Sequence, residues 1–201
     1  MRRKTEFKQV YQFKITLRGI RPPIWRRIQV PEIYTFWDLH VAIQDAMGWT
    51  DTHLHMFRMA DPQTGLETTI EIPDEDFDSI TEPLFGREER IADWFSLENR
   101  SADYVYDFGD NWVHKVELEK ILPKEEGVNY PRCIAGRRAC PPEDCGGDYG
   151  YERLLEIISD PDNDEYDEMM EWLGGEFDPE HFDPEEIFFD DPEERWKFAY
   201  E

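Results

Sequence analysis

Tyr11, Phe13, Ile15 and Leu17 alternate with polar neighbours, the period of two expected of a strand covered on one face. Gly19 to Pro23 is turn chemistry. Pro22 and Pro23 fix φ and remove two amide donors there, so Ile24 to Val30 leads out as a second strand at an edge or corner. The period then changes. Thr35 is a good N-cap with Asp38 at the third helical position, and Phe36, Leu39, Ile43 and Met47 line one face of a helix that Gly48 stops. Alternation returns from His53 to Met59, and again at Leu66, Thr68, Ile70 and Ile72 before Pro73. Asp74 to Glu82 reads as an acidic surface loop, and Arg90 to Leu97 as a short helix through Ile91, Trp94 and Phe95. Tyr104 to Asp107 and Trp112 to Leu118 predict two strands joined through Phe108-Gly109-Asp110-Asn111, where Gly and Asn tolerate positive φ.

After Asp148, which can cap a helix, Tyr151, Leu154, Leu155 and Ile158 form a helical face that Pro161 ends. Tyr166, Met169, Met170 and Leu173 repeat that spacing before Gly174-Gly175. Two Asp-Pro-Glu-Glu runs, at Asp183 and Asp191, combine an N-cap, a proline and acids matched to the helix dipole, so they read as helix starts. Together these elements predict an α+β fold. A mixed or antiparallel sheet of about five strands carries a helix across one face, in a β-grasp-like order, and a helical acidic C-terminal part follows. Each C-terminal helix has one apolar face that needs covering. A single domain over 1–201 is therefore expected, with a sheet-rich part (1–122), a Cys/Pro/Gly loop (123–147) and a helical part (148–201).

All three cysteines fall between Tyr130 and Tyr151, in a segment too polar and too broken by Pro141-Pro142 and Gly146-Gly147 for a helix or strand. Cys133, Cys140 and Cys145 supply three of the four ligands a structural zinc wants, with His53, His55, His114 or Asp144 as a source of the fourth. The spacing matches no standard zinc finger, and three small buried side chains in a packed loop are the plainer reading. His53 and His55, two apart on a presumed strand, would share a face and could hold a metal, or could serve as core or rim residues. Asp107, Asp110, Glu143, Asp144 and Asp148 are the dense carboxylates. With His114 as acid or base they could hold magnesium for phosphodiester chemistry, yet Asp107 and Asp110 flank a turn and Asp148 precedes a helix, each a routine place for Asp. No Gly-x-Ser-x-Gly and no glycine-rich phosphate loop is present, which disfavours hydrolase triads and nucleotide-dependent chemistry.

Three separated motifs, Pro22-Pro23-Ile24-Trp25-Arg26-Arg27, Tyr106-Asp107-Phe108-Gly109-Asp110 and the cysteine segment, occur in an order that resembles the open-reading-frame-three-like family of the root-inducing plasmid. Ala46-Met47-Gly48-Trp49, His53-Leu54-His55 and Trp172 ahead of Phe177-Asp178-Pro179 agree with it, so the resemblance spans roughly Tyr11 to Phe182. Members also occur as passengers of insertion sequences. The resemblance implies no assigned biochemical activity. Some relatives carry a resolvase-like label, but Ser79, Ser96, Ser101 and Ser159 lack the arginine-rich setting a serine recombinase needs.

Charge then narrows the partners. Lys+Arg 22 against Asp+Glu 47 gives a net −25, and the charge is uneven: the first thirty residues carry nine bases and one acid, whereas Glu152 to the end carries twenty acids and three bases. A solvated acidic helical surface, with some attraction between the two ends, accounts for this pattern. A basic nucleic-acid hairpin beside an acidic mimic or gate is the sharper alternative. Tight nucleic-acid binding is not expected, because it rests on Lys and Arg contacts to phosphate. There is no apolar run of membrane-spanning length and no signal-peptide segment after Met1, so a cytoplasmic protein is expected, and an odd cysteine count there argues against a disulfide framework. The sequence therefore points to a non-catalytic protein-binding or adaptor module with a protein partner and no certain cofactor, zinc being the candidate. The alternative is a metal-dependent phosphodiester hydrolase using Asp107, Asp110, Glu143 and Asp144.

Overall fold

The computed structural model describes residues 6–72 and 83–200; the expected acidic loop Asp74 to Glu82 lies outside the described residues. The first alternating segment forms β1 (Gln9–Leu17), flanked antiparallel by β2 (Trp25–Pro31) and by β7 (Trp112–Pro123). Phe13 stands opposite Ile28 on one side and Leu118 on the other, all fully buried, so the alternation sets the register. Beyond β7 follow β6 (Ser101–Tyr106), β3 (His55–Ala60), β4 (Glu67–Glu71) and the two-residue β5 (Leu84–Phe85); beyond β2 lies β8 (Arg132–Arg137).

The order β5-β4-β3-β6-β7-β1-β2-β8 makes eight strands, which corrects the expected sheet of about five, while the α+β class stands. Among the described residues only β4 and β5 run parallel, at one edge, so the centre of the described sheet lacks the parallel pair of a β-grasp. Two strands were invisible in the pattern for physical reasons. β5 is too short to display a period. β8 lies inside the cysteine segment, and its Arg-Cys-Ile-Ala-Gly-Arg run is part-exposed on both faces, so no apolar alternation marks it.

Helix α1 (Phe36–Met47) forms as its caps dictate. Thr35 Oγ1 accepts from Asp38 N, Asp38 Oδ2 accepts from Thr35 N, and Gly48 closes the far end in the left-handed region at φ 91°. Ten of its twelve residues are buried, more than one face requires, because the sheet covers one side and α5 (Pro192–Tyr200) the other. Trp37 Nε1 donates to Pro192 O, and the Trp37 ring meets those of Trp196 and Tyr200. The short helix α2 (Ile91–Trp94) inserts Trp94 and Phe95 beside Phe36.

The remaining helices are α3 (Gly147–Ile158) and α4 (Tyr166–Leu173), and a 3₁₀ turn covers Pro184–Glu186. Both Asp-Pro-Glu-Glu runs start helical turns: Asp183 accepts from Glu185 N and Asp191 from Glu193 N. Asp148 does not cap α3 as expected. Gly146, at φ 92°, is the N-cap, and the Asp148 carboxylate accepts from the adjacent Tyr149 N. In the 107–111 turn, positive φ falls on Asp107 and Asn111, whereas Gly109 is not among the positive-φ residues. No helix among the described residues is long and apolar enough to cross a membrane.

Candidate functional site

The second half of the cysteine segment is clasped to the β6–β7 hairpin by polar groups from three directions. Trp49 Nε1 donates to Pro141 O. Glu143 Oε1 accepts from Thr50 N at 2.7 Å and from the Tyr106 hydroxyl at 3.0 Å. Asp110 Oδ2 accepts from Gly146 N, and Gly147 lies so close to the Asp110 carbonyl that an added Cβ would stand 2.7 Å from it. A methyl on Gly150 would overlap the Cys145 carbonyl. Only glycine fits at the Gly147 and Gly150 approaches, and Gly146 takes a left-handed φ of 92°, which gives all three a structural meaning.

The five candidate acid–base residues do not assemble around one point. Asp107 Oδ1 accepts from Gly109 N and Asp110 N, holding its own turn. Asp110 and Glu143 are engaged on backbone amides, as above. His114 lies in the core against Trp49 and Tyr104, with Nδ1 bonded to Trp112 O and Nε2 buried without a partner. Burial pushes its pKa down to about 4, which leaves it neutral and far from an acid–base role near neutrality.

The three cysteines pack against the hydrophobic core, each part-buried, and each carries a thiol. Burial raises the Cys133 and Cys140 pKa values and pushes Cys145 up to about 12. Among the described residues, two groups bring three metal-ligating atoms within 4.8 Å of one another, and neither contains a cysteine.

These groups separate His53 from His55, which were expected to share a strand face. His53 precedes β3, and its Nε2 stands 2.8 Å from Asp144 Oδ1 and 3.7 Å from Asp107 Oδ2. His55 lies within β3, where its ring stacks on that of His40 at a centroid distance of 3.4 Å. Burial, then the neighbouring His40, drives the His55 pKa well down. His40 uses both nitrogens, Nδ1 with the Tyr104 hydroxyl and Nε2 with Asp51 Oδ1. Arg195 lies 3.7 Å from the other Asp51 oxygen and pairs with Asp45 and Asp190. With a guanidinium at its edge and its imidazole saturated, the His40–Asp51–His55 group is an internal brace that ties α1 and β3 to α5. Sequence reasoning missed it; a His and a Gln, His40 and Gln44, on the buried side of α1 were the available signal.

Beside the clasp, α4 leaves a groove. A cavity of about 280 Å³ is lined by Asp144, Cys145, Leu154, Glu165, Met169 and Trp172, and another of about 480 Å³ on the same wall by Glu143, Asp144, Trp172, Leu173, Glu176 and Phe177. Trp172 is common to both and 49% exposed.

These features define an α+β protein whose cysteine-bearing loop is clasped to a β-hairpin beside an acidic groove, and comparison with other proteins places it. A family model described as plasmid pRiA4b ORF-3-like protein matches residues 9–186, and the chain belongs to that family. The uncharacterized protein y4hQ of Sinorhizobium fredii is 36% identical over 168 residues, 82% of this chain and 81% of that one. The crystal structure of a protein of unknown function, MM3350 from Methanosarcina mazei Go1, superposes with a TM-score of 0.85 at 50% identity, covering 92% of this chain and all of the other.

Proposed function

We propose that the protein is a non-catalytic protein-binding module whose docking surface is the groove beside α4, and that it takes a basic segment of a partner protein carrying an apolar anchor. The observation that carries this reading is Trp172, half exposed where two cavities meet and ringed by acids. Asp144, Glu165 and Glu168 line one cavity, Glu143 and Glu176 the other, with Met169 and Leu173 supplying apolar floor. A half-exposed tryptophan is the side chain most often found to dominate a binding interface, and clustered acids around it select a basic partner and speed its approach. Of these acids, Glu165 is paired with Arg153.

The phosphodiester-hydrolase alternative draws less support. Asp107, Asp110 and Glu143 are engaged as turn and loop caps, Asp144 meets His53 instead, and His114 is interior, away from them. The docking reading is tested by titrating the labelled protein with a peptide of alternating Arg and Leu and with its Glu-for-Arg counterpart, following the Trp172 indole resonance. The basic peptide shifts that resonance and the acidic one does not, and Trp172→Ala lowers affinity by about tenfold or more. No response to the basic peptide, or an equal response to both, overturns the reading.

A further inference from the structure

We propose that His53, Asp107 and Asp144 form a binding site for one divalent transition-metal ion of the zinc class, a function distinct from peptide docking. The three side chains reach one point from three separate stretches of chain: the approach to β3, the end of β6, and the clasped cysteine segment. Their ligand atoms lie within 4.8 Å of one another, so an ion between them meets all three with small side-chain adjustments.

Each ligand is held in place by a different device. Asp107 sits at φ 54° with Oδ1 fixed by Gly109 N and Asp110 N, which turns Oδ2 toward His53 Nε2. A carboxylate held by two amides on one oxygen presents the other as a fixed ligand, the arrangement outer-shell hydrogen bonds give metal sites. Asp144 sits at φ 57°, between Glu143, fastened to Thr50 N and Tyr106, and Cys145-Gly146, fastened to Asp110. A left-handed conformation at a non-glycine residue costs energy, and here two of the three proposed ligands adopt it. The His53 ring stands edge-on to Tyr106 at 5.9 Å, which limits its rotation.

The donor set indicates the ion. One imidazole and two carboxylates suit zinc, cobalt, nickel or iron, whereas calcium takes six to eight oxygens and magnesium keeps to oxygen and water. Two carboxylates face one imidazole, and among the described ion pairs Asp107 and Asp144 meet His53 and no Lys or Arg. In this the site differs from the His40–Asp51–His55 group, where Arg195 already supplies the positive charge. The Asp144 side chain is 68% exposed, so the outer coordination positions open to solvent, as in zinc sites with three protein ligands and a fourth position for water or an exogenous group.

The test uses the full chain stripped with chelator and titrated with Co²⁺, read by calorimetry and by the visible spectrum. One ion per chain is expected, with weak d–d bands and no sulfur-to-cobalt charge-transfer band. His53→Ala and Asp144→Asn each lower affinity by about tenfold or more with unchanged circular dichroism. Asp107→Asn keeps the turn-capping oxygen and also weakens binding. No saturable binding, a strong sulfur band, or affinity unaltered by His53→Ala and Asp144→Asn overturns the proposal; the sulfur band would assign the ion to the cysteines instead.

Discussion

Buried ionisable groups give the residue scale its most direct consequences. His114 is fully buried and burial lowers its pKa to about 4, against about 6.5 in an unfolded chain. Above pH 6.5 the group is neutral in both states and its contribution to stability is intact. As pH falls from about 6.5 to about 4 the unfolded chain takes the proton first, so stability declines across that window by about 3 kcal/mol and this group adds no further loss below it. His55, its pKa well down through burial, acts with the same sign. Urea midpoints measured from pH 7 to pH 4 should therefore fall in the wild type, and His114→Gln should flatten the slope. The cysteines make a second residue-scale prediction. Burial pushes the Cys145 thiol up to about 12 and raises Cys140 as well, so few thiolates exist near neutrality. Native thiol labelling at pH 8 is expected to be slow for Cys140 and Cys145 and fast after denaturant; rapid native labelling of all three thiols would mean the clasp opens freely. The sequence placed these residues among the informative ones, but which nitrogen or oxygen each offers, and to whom, depends on side chains far apart in the chain. His53 meets Asp144 across 91 positions, a pairing that no local spacing encodes.

At the scale of elements, segments with their own caps or period were legible, and segments defined by a neighbour were not. Thr35, Asp38 and Gly48 announce α1 because a capping box and a left-handed C-cap are local devices. β8 owes its strand conformation to pairing with β2 and to the cover of Phe182, whose ring stands 2.5 Å from where a Cβ on Gly136 would be, and neither is written in its own residues. The same contrast separates two stability experiments. Leu39 on α1 is fully buried, and Leu39→Ala is expected to cost about 2 to 5 kcal/mol through lost transfer energy and the cavity left behind. Gly150→Ala adds a single methyl to an α3 surface, ordinarily favourable in a helix, yet here it meets the Cys145 carbonyl. We expect it to cost about 1 to 3 kcal/mol and to loosen the cysteine segment, seen as faster amide exchange from Gly146 to Tyr151 while α1 keeps its protection. A stabilised Gly150→Ala protein would mean that α3 can shift away from the clasp without loss.

At the scale of the whole molecule, the two ends of opposite charge form no ion pair with each other among the described residues. Arg18 bonds Asp103, Arg27 bonds Glu119, and Lys14 lies over Trp25, so these N-terminal bases are matched within the sheet. Arg26 is buried, donating to Ala46 O and Arg137 O, and it reaches the C-terminal part only through the Phe182 ring at 4.4 Å. The C-terminal acids find cations elsewhere: Glu180 at Arg138, Glu193 at Arg87, Asp190 at Arg195. Among the described residues, the attraction expected between the ends thus amounts to one cation–π contact, and the net −25 is left to act on the surroundings. Binding to a nucleic-acid backbone gains its free energy from counterions released at exposed Lys and Arg. Here Arg26 is interior while Arg18 and Arg27 already hold carboxylates, so a duplex approaching β1 and β2 would gain few phosphate contacts against the repulsion of the whole chain. At physiological ionic strength we expect no retardation of duplex or single-stranded DNA in a gel, and Arg26→Glu with Arg27→Glu to change nothing there. A retarded band abolished by that double variant would make the β1–β2 hairpin a nucleic-acid surface despite the charge around it.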